Sequence, residues 1–432
     1  MTSGDLGTAP GALPVLGHAV QFFRDPLAFL RNAQETDEVL AVRLGPSRTF
    51  LVCAPDLVRQ VLLNPRVFDK GGAVYDAFRT TFGEGVGACP FEPHRRKRSL
   101  VQPAFHRTRI AAHAAMISDE VAAMTAGWQE GELLDLNTVM HRLTTTVGLR
   151  MLFGSQATPP VITEVHELLP VMMRGLYRRA IVPVGPLHSL PTPLNRRYLA
   201  TRSRLHALVD ELLAVSTEDG TVAMLRDAGM TGQELHDEVV GLLVGGVETT
   251  VATLCWTFSL LSRNPNTRRR LHAEVDSVLA GRPAVYSDLP NLDYTQRLVT
   301  EVLRLYPPIW VLTRQVMEDT ELGGHRIPAG ATVMFSPYAL HRDPNLFETP
   351  DEFDPDRWLP ERAASVPQGA WIPFGAGNRK CIGDVFASVE AATAVATIAA
   401  RWQLSPAGTP PRPVPRGELS TGPLPMIVGP RT

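Results

Sequence analysis

Cysteine is scarce in this sequence, and no pair of cysteines has the spacing of a disulfide framework or a zinc site. The four cysteines are Cys53, Cys89, Cys255 and Cys381, and no two of them form a Cys-x-x-Cys pair. Cys53 and Cys255 lie within apolar runs, which favours plain core packing for both. Cys381 is different, because glycine and basic residues precede it.

The sequence also lacks the hydrophobic segments of secreted and membrane-spanning proteins. Residues 1–17 contain no basic stretch followed by an apolar core, so no signal peptide is expected. No run reaches about 18 uninterrupted apolar residues, the length of a membrane span. The net charge of −2 carries no basic excess that would suggest nucleic acid as a partner. We expect a cytoplasmic, monomeric protein that has no membrane anchor and binds no nucleic acid.

Internal repeats and low-complexity linkers are absent as well. A chain of this length buries roughly three quarters of its unfolded surface, so it can enclose a large cofactor without disulfides. We therefore expect one domain over residues 1–432.

Apolar residues recur at helical spacing over most of the chain. The pattern predicts helices over Ile110–Trp128, Leu133–Phe153, Val161–Leu176, Arg196–Val215, Gly232–Arg263, Thr267–Ala280, Thr295–Leu305 and Ile382–Trp402. A β-hairpin is expected from Val39–Leu44 and Thr49–Cys53, and a further strand over Thr332–Phe335. The sequence thus indicates a mainly α protein with a smaller β-rich region.

The clearest of these helices is Gly232–Arg263, whose 32 residues would span about 48 Å. Thr231 and Glu234 have the spacing of a capping box, and Pro265 ends the pattern. A helix of this length that is apolar nearly all round must be buried. We expect it to be the central helix of the fold.

The segment from Phe374 to Gly383 reads Phe-Gly-Ala-Gly-Asn-Arg-Lys-Cys-Ile-Gly. Its first two glycines allow the backbone to press against a flat ligand. Cys381 falls at the start of a predicted helix, where exposed amides favour a thiolate. A thiolate is a strongly donating iron ligand that favours cleavage of an O–O bond. The alternative is a glycine-rich turn with an incidental buried cysteine, which the length of the pattern disfavours.

This segment resembles the heme-binding loop of the cytochrome P450 family, with matches at Phe374, Gly375, Gly377, Arg379, Cys381 and Gly383. The resemblance extends over nearly the whole chain and implies the fold of that family, with about a dozen helices and a smaller β-rich region. It implies that Cys381 is the axial ligand to the iron of heme b. It also implies a monooxygenase that uses O₂, two electrons and two protons to convert RH into ROH and water.

Glu301 and Arg304 stand three residues apart, so they share one helical face. Taken alone, such a pair is usually a solvated ion pair of little energetic value. The resemblance implies a structural role instead, since Glu-x-x-Arg is a second hallmark of the family. It also implies that Arg357, in the loop between the two motifs, joins the pair in a buried network.

The middle of the long helix reads Gly-Gly-Val-Glu-Thr-Thr from Gly245 to Thr250. Each glycine within a helix costs about 1 kcal/mol relative to alanine, so the pair needs a reason. Close packing against another helix is one explanation. The resemblance implies the other: Gly245 approaches the heme face, and Thr249 and Glu248 deliver protons to dioxygen as catalytic residues.

Basic residues occur where the resemblance implies contacts with the heme propionates. His94 and Arg98 share a helical face, and Arg314 and Arg379 match two further contacts of the family. The remaining basic residues near His94 are Arg95, Arg96 and Lys97. They form either an ordinary solvated face or a docking face for an acidic electron donor.

Electrons must come from another protein, because no flavin- or nicotinamide-binding fingerprint is present. A ferredoxin with its ferredoxin reductase is the expected donor. Alignment with the family predicts an apolar substrate pocket made by Phe78, Phe82, Val86, Leu243, Val244, Val247, Ile309, Val311 and Leu312. Its entrance is expected at Met172, Met173 and Tyr177.

A pocket without charged partners suits a hydrocarbon-like substrate. The segments Phe353–Trp358 and Asn378–Arg379 resemble those of fatty-acid and terpenoid oxidising branches of the family, and this resemblance implies a terpenoid such as a cyclic sesquiterpene. A fatty acid and a polyketide or macrolide are the alternative substrates. Two alternatives of another class are a non-oxygenating heme-thiolate isomerase or coupling enzyme and a heme sensor. The acid–alcohol pair Glu248-Thr249 argues against both, because such relatives often lose it.

Overall fold

Helices form most of the chain in the computed structural model, which describes residues 6–44, 48–181, 188, 190–215 and 220–431. In chain order they are α1 (Ala19–Arg24), α2 (Pro26–Gln34), α3 (Pro55–Leu63), α4 (Gly72–Phe82), α5 (Phe91–Val101), α6 (Arg107–Ala126), α7 (Leu136–Phe153), α8 (Pro159–Ile181), α9 (Pro193–Val215), α10 (Gly220–Asp227), α11 (Gly232–Arg263), α12 (Pro265–Leu279), α13 (Asp293–Leu305), α14 (Pro337–Leu340), α15 (Pro360–Ala363) and α16 (Asp384–Ala399). Short 3₁₀ helices cover Gln102–Phe105, Gly154–Gln156, Tyr286–Asn291, Pro355–Trp358 and Gly377–Arg379. The predicted mainly α fold is confirmed.

The strands form a smaller region beside the helices. They are β1 (Gly7–Thr8), β2 (Val39–Arg43), β3 (Arg48–Val52), β4 (Phe68–Asp69), β5 (Leu133–Asp135), β6 (Leu312–Val316), β7 (Thr320–Leu322), β8 (His325–Ile327), β9 (Thr332–Phe335), β10 (Trp402–Pro406), β11 (Val414–Pro415), β12 (Leu419–Ser420) and β13 (Pro425–Pro430). The largest sheet has the order β1-β2-β3-β9-β6-β4. The predicted hairpin is confirmed by the antiparallel pairing of β2 with β3, and its connecting turn lies outside the described residues.

The long helix α11 has the predicted bounds and lies in the main core, where it packs on α7, α9, α13 and α16. By length and composition it could cross a membrane, but 78% of its most apolar window is buried inside the protein. The predicted capping box is wrong. Thr231 is the N-cap residue but makes no side-chain capping bond, and the Glu234 carboxylate pairs with Arg96 instead.

Two predicted helices begin later than their apolar patterns. Residues Leu133–Asp135 are not helical, because they pair antiparallel with β13 as the strand β5. The Asp135 carboxylate then accepts the amide of Asn137 and caps α7. The last predicted helix begins at Asp384 rather than Ile382, with Gly383 at its N-cap, and Trp402 belongs to β10. In both places tertiary strand pairing or the adjacent turn overrides local propensity.

Candidate active site

A cavity lies between α11 and the segment that precedes α16. Its wall on α11 consists of Gly241, Leu242, Gly245, Gly246, Thr249, Thr250 and Thr253. Its wall on the loop before α16 consists of Phe374, Gly375, Arg379, Lys380, Cys381, Ile382 and Gly383. The cysteine loop and the middle of the long helix therefore border one cavity.

The thiol of Cys381 faces this cavity. Cys381 has an exposed surface, whereas Cys53, Cys89 and Cys255 are buried. Burial nevertheless raises the pKa of Cys381, partly offset by the backbone amide of Gly383, so its exposed surface belongs to the cavity rather than to bulk solvent. A bound metal cation would deprotonate such a thiol, and the thiolate is the form that ligates iron.

Two glycines shape the loop that carries Cys381. Gly377 has φ +66°, and a Cβ there would lie 2.8 Å from the carbonyl oxygen of Leu62, so only glycine fits. Gly375 has φ +70°, but a Cβ there would meet no atom within 4 Å. The amide of Cys381 donates to the Phe374 carbonyl at 2.9 Å, which closes the loop. Gly375 thus leaves open space on the cavity side.

The paired glycines of α11 also border open space. A Cβ on Gly245 or Gly246 would meet no atom within 4 Å outside the helix itself. The explanation that these glycines allow close packing against another helix is therefore wrong. They leave a flat, unfilled surface opposite the cysteine loop, which suits a planar ligand.

Gly246→Val tests this assignment. The added side chain has room in the fold, so we expect normal folding. The valine would occupy the space that a planar cofactor and dioxygen need. Overpacking of this kind would lower the stability of the cofactor-bound state by about 1–3 kcal/mol. The expected result is less bound heme or an altered heme spectrum at an unchanged midpoint of unfolding for the heme-free protein.

Gly127→Val is the matched control. A Cβ at Gly127 also meets nothing within 4 Å, its φ of −84° suits any residue, and it ends α6 away from the cavity. Equal heme content and identical spectra in both variants would contradict the assignment of the space beside Gly246 to the cofactor and oxygen.

The four basic residues expected at the propionates all line the cavity. His94 and Arg98 lie one turn apart on α5, Arg314 lies on β6, and Arg379 precedes Cys381. Burial lowers the pKa of His94 to about 3, with a further contribution from Arg379. His94 therefore offers a hydrogen-bonding ring, and Arg98, Arg314 and Arg379 offer the permanent positive charges.

No sequence pattern singles out Lys70, yet it lines the same cavity. Burial lowers the pKa of Lys70 to about 7, followed by the charges of Arg314 and Arg379, so these cations lie close together. The buried Nε of Arg379 has no hydrogen-bond partner, and its Nη1 lies 3.1 Å from Asp69 Oδ1. A cluster of cations with an unpaired donor fits the two carboxylates of heme b.

Not all of the remaining basic residues of α5 lie on one exposed face. Arg96 forms an ion pair with Glu234 of α11. Lys97 is buried, and its Nζ donates to the Glu84 carbonyl at 2.6 Å. A docking face made of all three is wrong because Lys97 is buried, whereas Arg95 and Arg96 are exposed.

Glu301 and Arg304 of α13 are fully buried and form a bidentate pair, with N–O distances of 2.8 and 2.7 Å. Arg357 lies beside them, with its Nε 3.4 Å from Glu301 Oε1. The indole of Trp358 donates to Glu301 Oε2 at 2.9 Å. Glu301 thus contacts both arginines of the predicted structural network.

His341 connects this network to the cysteine loop and is not predictable from spacing. Its Nδ1 lies 3.1 Å from the carbonyl oxygen of Arg304, and its Nε2 accepts the amide of Ile372 at 2.9 Å. Burial lowers its pKa to about 3, so the ring is neutral, with the proton on Nδ1. His341 thereby fixes the backbone two residues before Phe374.

Thr249 and Glu248 point to different sides of α11. Thr249 lines the cavity, and its hydroxyl donates to the Gly245 carbonyl at 2.9 Å. Glu248 is buried against α7, where its Oε1 lies 3.2 Å from His141 Nε2. The alcohol therefore borders the cavity, and the acid is held behind it.

Two further carboxyl groups line the cavity without having been predicted. Glu390 of α16 accepts the Thr250 hydroxyl at 3.3 Å, and burial raises its pKa to about 8. Glu238 of α11 accepts the Val86 amide at 2.8 Å, and burial raises its pKa to about 7. A glutamate within an apolar helical run is the signal that could have identified them.

The predicted substrate pocket is partly wrong. Val86, Ile309 and Leu312 line the cavity. The other six do not: Phe78, Phe82, Leu243, Val244, Val247 and Val311. Leu243 and Val247 face α7, since a Cβ on its Gly148 would lie 3.5 and 3.4 Å from them.

Most of the other misplaced residues pack in the hydrophobic clusters. Phe82 and Val244 belong to the main core, and Val311 packs against the cluster near the N-terminal helices. The ring of Phe78 lies between those of Tyr75 and Phe82 and is tilted relative to both.

The predicted entrance residues on α8 do not line the cavity either. Met172 is fully buried, and the hydroxyl of Tyr177 donates to the Pro415 carbonyl at 2.8 Å. A Cβ on Gly417 would lie 3.0 Å from the terminal carbon of Met173. Met173 and Tyr177 thus contact the segment around β11 and β12.

Comparison with known proteins agrees with this geometry. The family model described as cytochrome P450 matches residues 8–429. Cyclooctat-9-en-7-ol 5-monooxygenase of Streptomyces melanosporofaciens is 45% identical, and the match covers 98% of this chain and 95% of that protein. Pentalenene oxygenase of Streptomyces avermitilis is 40% identical, with 92% and 91% covered.

Among solved structures, the cytochrome P450DA heme domain superposes with a TM-score of 0.87 at 24% identity and covers 98% of both chains. This likeness bears on the fold alone. The family match and the two relatives, which extend over nearly the whole sequence, carry the assignment. The chain belongs to the cytochrome P450 family of heme-thiolate monooxygenases, and its cofactor is heme b.

Proposed function

We propose that this monooxygenase hydroxylates an apolar, cyclic terpenoid of secondary metabolism. The observation behind this proposal is the part of the cavity lining that is not assigned to the heme propionates. It includes the apolar side chains of Val86, Met151, Leu242, Ile309 and Leu312. An apolar cavity with few polar groups binds a hydrocarbon-like molecule.

The charged groups of the lining support the same substrate class. The cations that could hold the carboxylate of a fatty acid are the ones that fit the heme propionates. Burial raises the pKa of both Glu238 and Glu390, which weakens their negative charge near neutral pH. The two relatives described above are named for pentalenene and cyclooctat-9-en-7-ol, which agrees with a cyclic terpenoid.

The proposed reaction is RH + O₂ + two electrons + two protons giving ROH and water. Heme b would be held by Cys381 as the thiolate and would supply the activation of dioxygen. In this proposal the hydroxyl of Thr249 supplies protons at the cavity wall, and the Glu248 carboxyl resupplies them from behind α11. Arg98, Arg314 and Arg379 would hold the heme propionates.

Two electrons per turnover must reach the heme from another protein. We propose a ferredoxin, reduced by its ferredoxin reductase, as the donor to a cytoplasmic, monomeric enzyme. Fatty acids and macrolides remain the competing substrates.

Titration of the purified ferric protein, followed at the Soret band, tests the substrate class. A cyclic terpene should displace water from the iron and cause a low- to high-spin shift, whereas long-chain fatty acids and macrolides should cause little. Ile309→Trp should weaken the terpene response, because the larger side chain would occupy part of the cavity. It should leave the amount of bound heme unchanged.

Leu133→Trp is the control, since Leu133 is exposed on β5 outside the cavity. A spin shift that occurs only with fatty acids or macrolides would refute the terpenoid proposal and leave the heme assignment intact. Oxygen-18 from O₂ in the product would distinguish a monooxygenase from the isomerase, coupling and sensor alternatives.

A further inference from the structure

The carboxyl group of Glu248 is separated from bulk solvent by two histidines that the heme site does not use. Glu248 is buried, and its Oε1 lies 3.2 Å from Nε2 of His141 on α7. Nδ1 of His141 lies 2.9 Å from Nδ1 of His166 on α8, with the ring centroids 4.8 Å apart at 67°. His141 is buried and His166 is only partly buried. The order from inside to outside is therefore Glu248, His141, His166.

The Nδ1–Nδ1 contact restricts how these rings carry protons. A hydrogen bond between two imidazole nitrogens needs one N–H donor and one bare acceptor. When His166 carries its proton on Nδ1, His141 carries its own on Nε2, which then points at the Glu248 carboxylate. Each ring thus presents a donor towards the interior and an acceptor towards the exterior.

We propose that His166 and His141 form a proton relay from solvent to Glu248, an inference that rests on the proposed role of Glu248. A proton binds Nε2 of His166 from water, and the Nδ1 proton of His166 passes to Nδ1 of His141. The Nε2 proton of His141 then passes to Oε1 of Glu248. One proton enters and one leaves, so both rings end neutral with interchanged tautomers. Each ring must then turn and re-form its hydrogen bond before a second proton can pass.

Other titratable groups surround the relay. They are Arg142 on α7, Glu167 and Arg174 on α8, and Arg416 and Glu418 in the segment before β12. Burial and then His141 lower the pKa of His166, so its ring is neutral at pH 7 and free to take up and release a proton. Burial and then the charge of Glu248 raise the pKa of Glu418 to about 8, which adds a mostly protonated acid beside Glu248.

Nitrogen-15 NMR of the ferrous–CO holoenzyme tests the geometry independently of turnover. A scalar coupling across the hydrogen bond between Nδ1 of His141 and Nδ1 of His166 is expected, with the two rings in opposite tautomers. Glu248→Gln should shift the Nε2 resonance of His141. Absence of the coupling, with both rings in the same tautomer, would overturn the relay.

His166→Gln tests the function, since His166 is partly exposed and the variant should fold normally. We expect the turnover number to fall, more peroxide to be released per electron pair, and the solvent isotope effect to rise, while the KM for substrate stays unchanged. The loss should be smaller than the roughly 100-fold or greater effect of removing a positioned acid, because water can substitute in part. His141→Asn should behave likewise.

A second histidine pair supplies the matched control. His206 and His236 stack at 5.0 Å with a nitrogen–nitrogen distance of 2.7 Å, but neither contacts Glu248. His206→Gln should leave peroxide release and the isotope effect unchanged. If Glu248→Gln raises peroxide release and His166→Gln does not, the relay is wrong. If Glu248→Gln itself has no effect, the proposed role of Glu248 fails first.

Discussion

Cys381→Ser is expected to abolish the red-shifted Soret band of the ferrous–CO complex and, with it, oxygenation. That band requires a thiolate ligand on the iron, and a serine hydroxyl cannot donate as much electron density to iron. In this structure Cys381 is the cysteine that lines the cavity, opposite the paired glycines of α11. The measurement is the reduced–CO difference spectrum of the purified variant, together with its heme content.

Cys89→Ser is a suitable control for this variant. Cys89 is buried near the cations of the site but does not line the cavity, and its sulfur contacts only the carbonyl of Val86 among hydrogen-bonding groups of the described residues. We expect Cys89→Ser to keep the red-shifted band. Retention of the band in Cys381→Ser, or its loss in both variants, would contradict the assignment of Cys381 as the axial ligand.

The parts of the site that lie within one contiguous motif could be predicted from the sequence. The segment Phe374–Gly383 borders the cavity, and the glycines of α11 face it as a cofactor would require. Such motifs are readable because backbone approach, ligand identity and helix capping each restrict the residue types at fixed spacing.

The cavity face of α11 could not be predicted from its apolar pattern. Because this helix is apolar nearly all round, its hydrophobicity does not distinguish the side facing the cavity from the side packed in the core. Helical spacing counted from Thr249 identifies the cavity side of α11 correctly. The residues three, four, seven and eight positions earlier share its face, and all four line the cavity: Gly246, Gly245, Leu242 and Gly241. Alignment to the family selected Leu243 and Val247 instead, which face α7.

The supporting residues were missed because they are distant in sequence from the groups they contact. His141 precedes Glu248 by 107 positions, and His341 follows Arg304 by 37. Neither histidine belongs to a spaced motif. Each acquires its role from the packing of two helices or of a helix and a loop, which a single sequence does not specify.

The buried network around Glu301 explains how the cysteine loop is held in place. Arg304 donates to the backbone carbonyls of His341 and Pro350 at 2.8 and 2.6 Å, and Arg357 donates to that of Glu348 at 2.7 Å. The carboxylate of Glu301 is the counter-ion of both guanidinium groups. The backbone amide of Asp354 also donates to its Oε1 at 3.1 Å, so one carboxylate organises α13 and the long loop before Cys381.

Glu301→Gln is therefore expected to cost about 3–5 kcal/mol of unfolding free energy, although it changes the side-chain volume little. It leaves Arg304 and Arg357 charged and buried without a counter-ion, and breaking a buried pair from one side is strongly destabilising. We also expect loss of bound heme, since the loop towards Phe374 is fixed through Arg304 and His341. Denaturant unfolding and the heme-to-protein absorbance ratio measure the two effects.

Asp293→Asn on the same helix is the control that separates the effect of breaking a buried ion pair from the effect of losing a negative charge. Asp293 pairs with Arg297 at 2.8 Å, but its side chain is 73% exposed, and exposed ion pairs contribute less than about 1 kcal/mol. The two substitutions remove the same charge, so the difference between them measures the uncompensated buried guanidinium groups. Similar small losses in both variants, with heme fully bound, would show that the Glu301 network does not hold the cysteine loop.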